Sequence, residues 1–120
     1  MMPQSKDKRP VQQAKLDAKL QSLVDVARAD LIERLGRQQL DTQNILVSRA
    51  ERVTWRSGAL GCPQPDRGYK MVLVPGVLIQ FRVAGTLYEY HGNPTGPPFL
   101  CEPPGRIETP APRNHAQDLT

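Results

Sequence analysis

The side chains best suited to nucleophilic or metal chemistry are two cysteines, Cys62 and Cys101, and two histidines, His91 and His115. Cys62 sits in "GALGCPQPDRGY", Gly58 to Tyr69, the most turn-prone stretch of the chain. A nucleophilic or redox thiol needs a thiolate stabilised by a helix N-terminus or a cation, usually with a histidine as base. Pro63 and Pro65 follow Cys62 where no helix is expected to start, and no C-x-x-C pair is present. Metal ligands come in pairs at short spacing, whereas Cys62, His91 and Cys101 are isolated from one another. No metal and no cofactor is therefore expected. The third reading is structural: a disulfide or a close thiol pair, since Cys62 follows the first strand region and Cys101 ends the last apolar run. Asp66, Glu89 and Glu102 have no visible partner for acid–base work. The glycines of "GALGCPQPDRG" are interrupted by proline and precede a strand, unlike a phosphate-binding loop.

These residues must be positioned by a small body. Leu16, Leu20, Leu23, Val24, Ala27, Leu31 and Leu35 recur at helical steps, so one helix is expected from Val11 to Leu35, closed by Gly36 in a left-handed conformation. Ile45, Val47, Val53 and Trp55 share parity in "ILVSRAERVTW" with Arg49 and Glu51 interrupting, which describes a strand bulged in its middle. "YKMVLV" reads as a second strand, Pro75-Gly76 as a connection, and "VLIQFRV" as a third strand. Ala84-Gly85 turns the chain into a fourth strand, "TLYEYH", and "FLC" is a candidate closing strand. A two-residue turn there sets Val83 opposite Thr86, Phe81 opposite Tyr88 and Ile79 opposite Tyr90, an apolar face for the helix. Leu78, Gln80, Arg82, Leu87, Glu89 and His91 fall on the other face, expected to be mostly wet. Trp55, beside a turn, is expected to plug the core.

The fold class is α+β: one long N-terminal helix on a roughly four-stranded antiparallel sheet. A disordered basic arm (1–10), a single domain (11–102) and a proline-rich disordered tail (103–120) make up the organisation. Ten of the 12 prolines fall at or after Pro63, so the two halves are built differently. The formal charge of +4 and the basic arm allow weak nonspecific nucleic-acid binding, without any nucleic-acid motif. No apolar run is long enough to span a membrane. "MMPQSKDKRPVQQ" lacks the apolar core of a signal peptide. As written the chain is expected in the cytoplasm, or in the cell envelope or outside the cell if a leader has been removed.

The ordered motifs "VTWRSGALGCPQPDRGY", "VPG" and "YEYHGNPTGPPFLCEPP" resemble a family of small uncharacterised bacterial proteins, many exported or lipid-anchored. The resemblance covers Ala27 to Pro103. It implies a shared fold and a paired Cys62 and Cys101, and it implies no reaction. Ser57 replaces the family's usual acidic residue in the first turn, and Pro65-Asp66 replaces its usual Pro-Gly.

The resulting expectation is a non-enzymatic binding module acting on an unknown protein partner. Its working surface is expected on Gly58–Tyr69 and Gly92–Pro98, with Gly61, Pro63, Pro65, Tyr69 and His91 as binding-loop residues. The alternative is a small thiol enzyme or redox protein using Cys62 with His91.

Overall fold

The computed structural model describes residues 17–112. The basic arm, Val11 (the expected start of the helix) and His115 lie outside the described residues, and the described helix is capped at Asp17, whose backbone is extended. The order is α1 (Ala18–Arg37), β1 (Leu46–Trp55), β2 (Val74–Val83), β3 (Thr86–Gly92) and β4 (Phe99–Leu100). The four strands form one antiparallel sheet in the order β1-β2-β3-β4.

The helix begins at Asp17, whose Oδ1 accepts the Leu20 N–H at 2.8 Å, satisfying one of the unpaired donors of a first turn. The periodic residues Leu20, Leu23, Val24, Ala27, Leu31 and Leu35 are all buried. They meet Val77, Ile79, Phe81, Val83 and Tyr90 from the sheet, with Tyr88 packed at the margin. Tyr90 crosses this layer and donates its hydroxyl to Asp30 Oδ2 at 2.7 Å, while Arg34 donates to the same oxygen at 2.6 Å. Arg28 spans the other end, donating to the Ile45 carbonyl at 3.0 Å and lying 5.5 Å from the Phe81 ring centre. At the helix start, Arg52 of β1 donates to both oxygens of Asp17.

Gly36 does not close the helix. It stays helical, and the left-handed residue is Gln39, at φ 60°. Leu40 N–H then reaches the Leu35 carbonyl at 2.8 Å and Gln39 N–H the Gly36 carbonyl at 3.0 Å, which is a Schellman closure. It lets the helix run past the buried Leu35 before it ends.

The bulge expected in β1 is present, between Val47 and Arg49. It reverses the facing of the strand. Val47 is paired with Phe81 on the helix side, whereas Arg49 pairs with Gln80 on the far side. Ile45 therefore joins the helix-side core, while Trp55 belongs to the opposite face. The imperfect alternation read from sequence is one strand serving two faces.

The expected second and third strands are one. β2 runs through Pro75-Gly76 without a turn, and Tyr69–Leu73 lies outside the sheet. The total of four strands is kept by β4, the expected closing strand. Pro75 is tolerated because its partner Thr54 turns its carbonyl outward, to the Ala111 N–H at 2.8 Å. That pair exchanges no hydrogen bonds across β1 and β2, so the missing Pro75 N–H leaves β1 undisturbed. On its other side β3 has already ended, with Gly92 opposite Val77. The β2–β3 register is as read from sequence, from Val83–Thr86 to Leu78–His91.

Candidate functional site

The far face of the sheet is not uniformly wet. Arg82 and Leu87 are exposed at one end, but Leu78 is 2% exposed and His91 fully buried at the other. A second, smaller core built around Trp55 covers that end. The indole is fully buried and donates Nε1–H to the Gly92 carbonyl at 3.1 Å. It stacks on the His91 imidazole with ring centres 4.5 Å apart. Two glycines make the room: a Cβ on Gly76 would lie 2.3 Å from the indole Nε1, and one on Gly61 would lie 2.4 Å from Cζ3. Gly61 also has φ +75°, where an L side chain is strained.

Gly58–Tyr69 folds over this core through local turns. Ser57 Oγ accepts the Ala59 N–H at 3.1 Å, and the Ala59 carbonyl accepts from Cys62 N at 3.0 Å. Leu60, left-handed at φ 54°, aims its carbonyl at His91 Nδ1, 2.8 Å away. A carbonyl only accepts, so Nδ1 carries a proton and donates it. His91 Nε2 meets Glu89 Oε1 at 2.8 Å, and the other Glu89 oxygen accepts from Gln80 at 2.7 Å. Both His91 nitrogens are thus occupied.

Cys62 and Cys101 form a disulfide, with Cα atoms 5.8 Å apart. The chain beyond Cys101 then runs back along the loop as a strap. Arg106 N–H bonds to the Pro63 carbonyl at 3.3 Å, Glu108 N–H to Gly61 at 2.8 Å, and Ala111 N–H to Thr54 at 2.8 Å. Arg56 donates to the Thr109 and Pro110 carbonyls. Residues 103–112, read from sequence as tail, are therefore held by backbone bonds. A Cβ on Gly105 would lie 2.3 Å from Gln64 Nε2 and 2.9 Å from Cys62 Sγ, so glycine is what lets the strap approach.

Between loop and strap lies a surface cavity of about 300 Å³ lined by Pro63, Gln64, Pro65, Arg67, Tyr69, Pro104 and Arg106. Tyr69 is fixed in its wall, its hydroxyl accepting from Gln64 N–H at 3.0 Å. Of the expected binding-loop residues, Pro63, Pro65 and Tyr69 meet here. Gly61 and His91 are buried beneath, shaping the loop from below. The Gly92–Pro98 loop is organised separately: Asn93 Oδ1 accepts from Thr95 N, Thr95 Oγ1 and Gly96 N. Among the described residues no hydrogen bond joins it to Gly58–Tyr69, whose neighbour is the strap instead. Pro104 and Arg106 were missed because they lie in a segment without periodicity; the signal was Cys101, whose pairing ties down whatever follows it. A larger cleft of about 600 Å³ runs along the outer edge of β1 beside Thr109–Pro112. Its arginines are already neutralised, Arg49 by Glu51 and Arg52 by Asp17.

Three carboxylates are held below their ordinary range. Asp17 is lowered chiefly by Arg52. For Asp30, partial burial pulls upward, but the bonds from Tyr90 and Arg34 outweigh it. Glu89 is lowered first by its bond to His91, against partial burial, with Gln80 and Arg49 adding to the effect. Burial, then the bond to Asp30, pushes the Tyr90 phenol well up. A carboxylate with a depressed folded pKa contributes stability above its unfolded pKa and loses that contribution as the pH falls through the folded value. Melting temperature is therefore expected to drop as the pH falls below the unfolded carboxylate range, about 4. A Glu89→Gln variant, which removes one of these titrations, is expected to show a shallower acid slope. A slope identical to wild type in thermal melts across that range would remove Glu89 from the account.

No curated protein and no solved structure matches the chain. A family model described as "Domain of unknown function (DUF8738)" matches residues 24–101, from within the helix, across the whole sheet and both cysteines, and stops before the strap. The chain belongs to this family of domains of unknown function.

Proposed function

We propose that the protein is a non-enzymatic binding module that presents the disulfide-tied surface of Gly58–Tyr69 and the strap to a protein partner. One observation carries this reading: the cavity formed by Pro63, Pro65, Arg67, Tyr69, Pro104 and Arg106 has walls from two segments cross-linked at Cys62 and Cys101. Proline rings, a fixed tyrosine and a covalent tie leave little freedom to lose on binding, which lowers the entropic cost of association. The competing thiol chemistry finds less support. Cys62 is bonded to Cys101, and His91 spends both nitrogens on Leu60 and Glu89. A persistent disulfide also favours an oxidising compartment, the cell envelope or outside the cell, over the cytoplasm.

Affinity capture from the native cell with wild type, a Pro65→Ala/Tyr69→Ala variant and an Asn93→Ala variant tests the surface. Partners held by wild type and by Asn93→Ala are expected to fall at least tenfold in yield with the cavity variant. Identical partner lists for all three proteins would remove the cavity from the proposal.

A further inference from the structure

The stretch Tyr69–Leu73 has the composition of a strand yet stands outside the sheet. Met71, Val72 and Leu73 are 79%, 53% and 67% exposed. Three consecutive large aliphatic side chains in water are unfavourable in isolation and mark a contact surface. Their base is fixed: the Lys70 carbonyl accepts from Gly58 N–H at 2.9 Å, and Val74 is paired with Trp55 in the sheet. The tip is thus presented by a rigid frame.

We propose that Met71-Val72-Leu73 is an interfacial anchor that docks this domain on an anionic lipid surface. Charge selects the occupant. Lys70 lies directly before the tip and Arg67 three residues earlier, and neither is in an ion pair; the ion pairs among the described residues lie elsewhere. Arg67 also lines the adjoining cavity, where Arg106 is already paired with Glu108 at 3.1 Å, and Asp66 is the one carboxylate between Cys62 and Leu73. Aliphatic side chains entering the acyl boundary, with cations behind them at headgroup level, is the arrangement of a peripheral anchor. The three residues are consecutive and exposed on a bent segment outside the sheet rather than on the face of a strand. A fluid acyl layer can surround such a tip on all sides, whereas a folded protein would need a matching cleft. The tip residues lie outside the cavity of the binding-module reading, with Arg67 common to both surfaces. The triple variant and the cavity variant change different side chains, so either reading can fail without the other.

Cosedimentation of the full chain with vesicles provides the test. One set is phosphatidylcholine alone, and the other is phosphatidylcholine mixed with phosphatidylglycerol. Wild type is expected to partition onto the mixed vesicles and to be released by salt. The combined variant Met71→Ser, Val72→Ser, Leu73→Ser is expected to bind at least tenfold more weakly, and Lys70→Gln about fivefold more weakly. All of these positions are exposed, so both variants should keep the wild-type melting temperature. The basic arm Met1–Pro10 is unchanged in the triple variant, so undiminished vesicle binding by that variant would assign the attraction to the arm and overturn the proposal. Absence of wild-type binding to the mixed vesicles would overturn it too. So would a wild-type dimer in analytical ultracentrifugation that the triple variant abolishes, because the tip would then serve a second copy.

Discussion

Trp55→Ala is expected to lower the free energy of unfolding by about 3–5 kcal/mol, the range for removing a large buried aromatic. For a domain whose whole stability is about 5–15 kcal/mol, that brings the native state close to its limit. Three losses combine. The fully buried indole leaves a cavity, the Gly92 carbonyl loses its donor, and the His91 ring loses the surface it stacks on. Trp55→Phe separates the second loss from the others, since it keeps much of the ring but strands the carbonyl, at a cost of about 1–3 kcal/mol. Trp55 is the sole tryptophan, so urea denaturation should be followed by far-ultraviolet circular dichroism rather than fluorescence. A Trp55→Ala loss below about 1 kcal/mol would mean that the second core does not hold this end of the sheet.

A double-mutant cycle sharpens that result. Gly76→Ala places a methyl group where the indole Nε1 and the Gly92 carbonyl already stand, 2.3 and 2.4 Å from the new carbon. Much of the resulting strain depends on the indole being present. The two substitutions together are therefore expected to cost less than the sum of their separate costs. Strict additivity would show that Gly76 answers to some constraint other than Trp55.

The parts of this fold that were legible in the sequence are those carried by repeating side-chain patterns. Leu20 to Leu35 recur at helical steps because one face of α1 must meet the sheet. The β2–β3 register follows from Ala84-Gly85, and both residues take positive φ, 49° and 83°, as the favoured hairpin turn requires. Pro75-Gly76 misled because its local preference for a turn is overruled from a distance. The glycine is there for an indole twenty-one positions earlier in the chain, and the proline sits where no ladder bond is needed. His91 was placed on the correct face by parity, but parity says nothing about whether a loop later covers that face. The strap was invisible for another reason. Its bonds to Pro63, Gly61 and Thr54 run between backbone groups, which any non-proline residue can make, so they leave no pattern in residue type. The cavity at the candidate site inherits this: its loop wall could be read, and its strap wall could not.

Cys62→Ser is expected to cost about 4 kcal/mol under oxidising conditions, from the chain entropy of a loop closed across 39 residues. The cross-link is placed where other restraints are sparse. β4 has only two residues, and after it the chain holds to the loop by scattered backbone bonds. Breaking the link frees the loop and the strap together, and with them the cover over His91 and Trp55. The loss should therefore appear in two observables. Equilibrium unfolding should fall by the full amount without reductant, while wild type and variant should nearly coincide with it. Native-state hydrogen exchange should show the Arg106 and Glu108 amides losing protection in the variant well before the amides of β2 and β3 do. Unchanged stability in both redox conditions would show that the sheet and the second core hold the loop without the cross-link. In that case Cys62 would be available as a thiol at no structural cost, and the thiol-chemistry reading would regain its standing against the binding module.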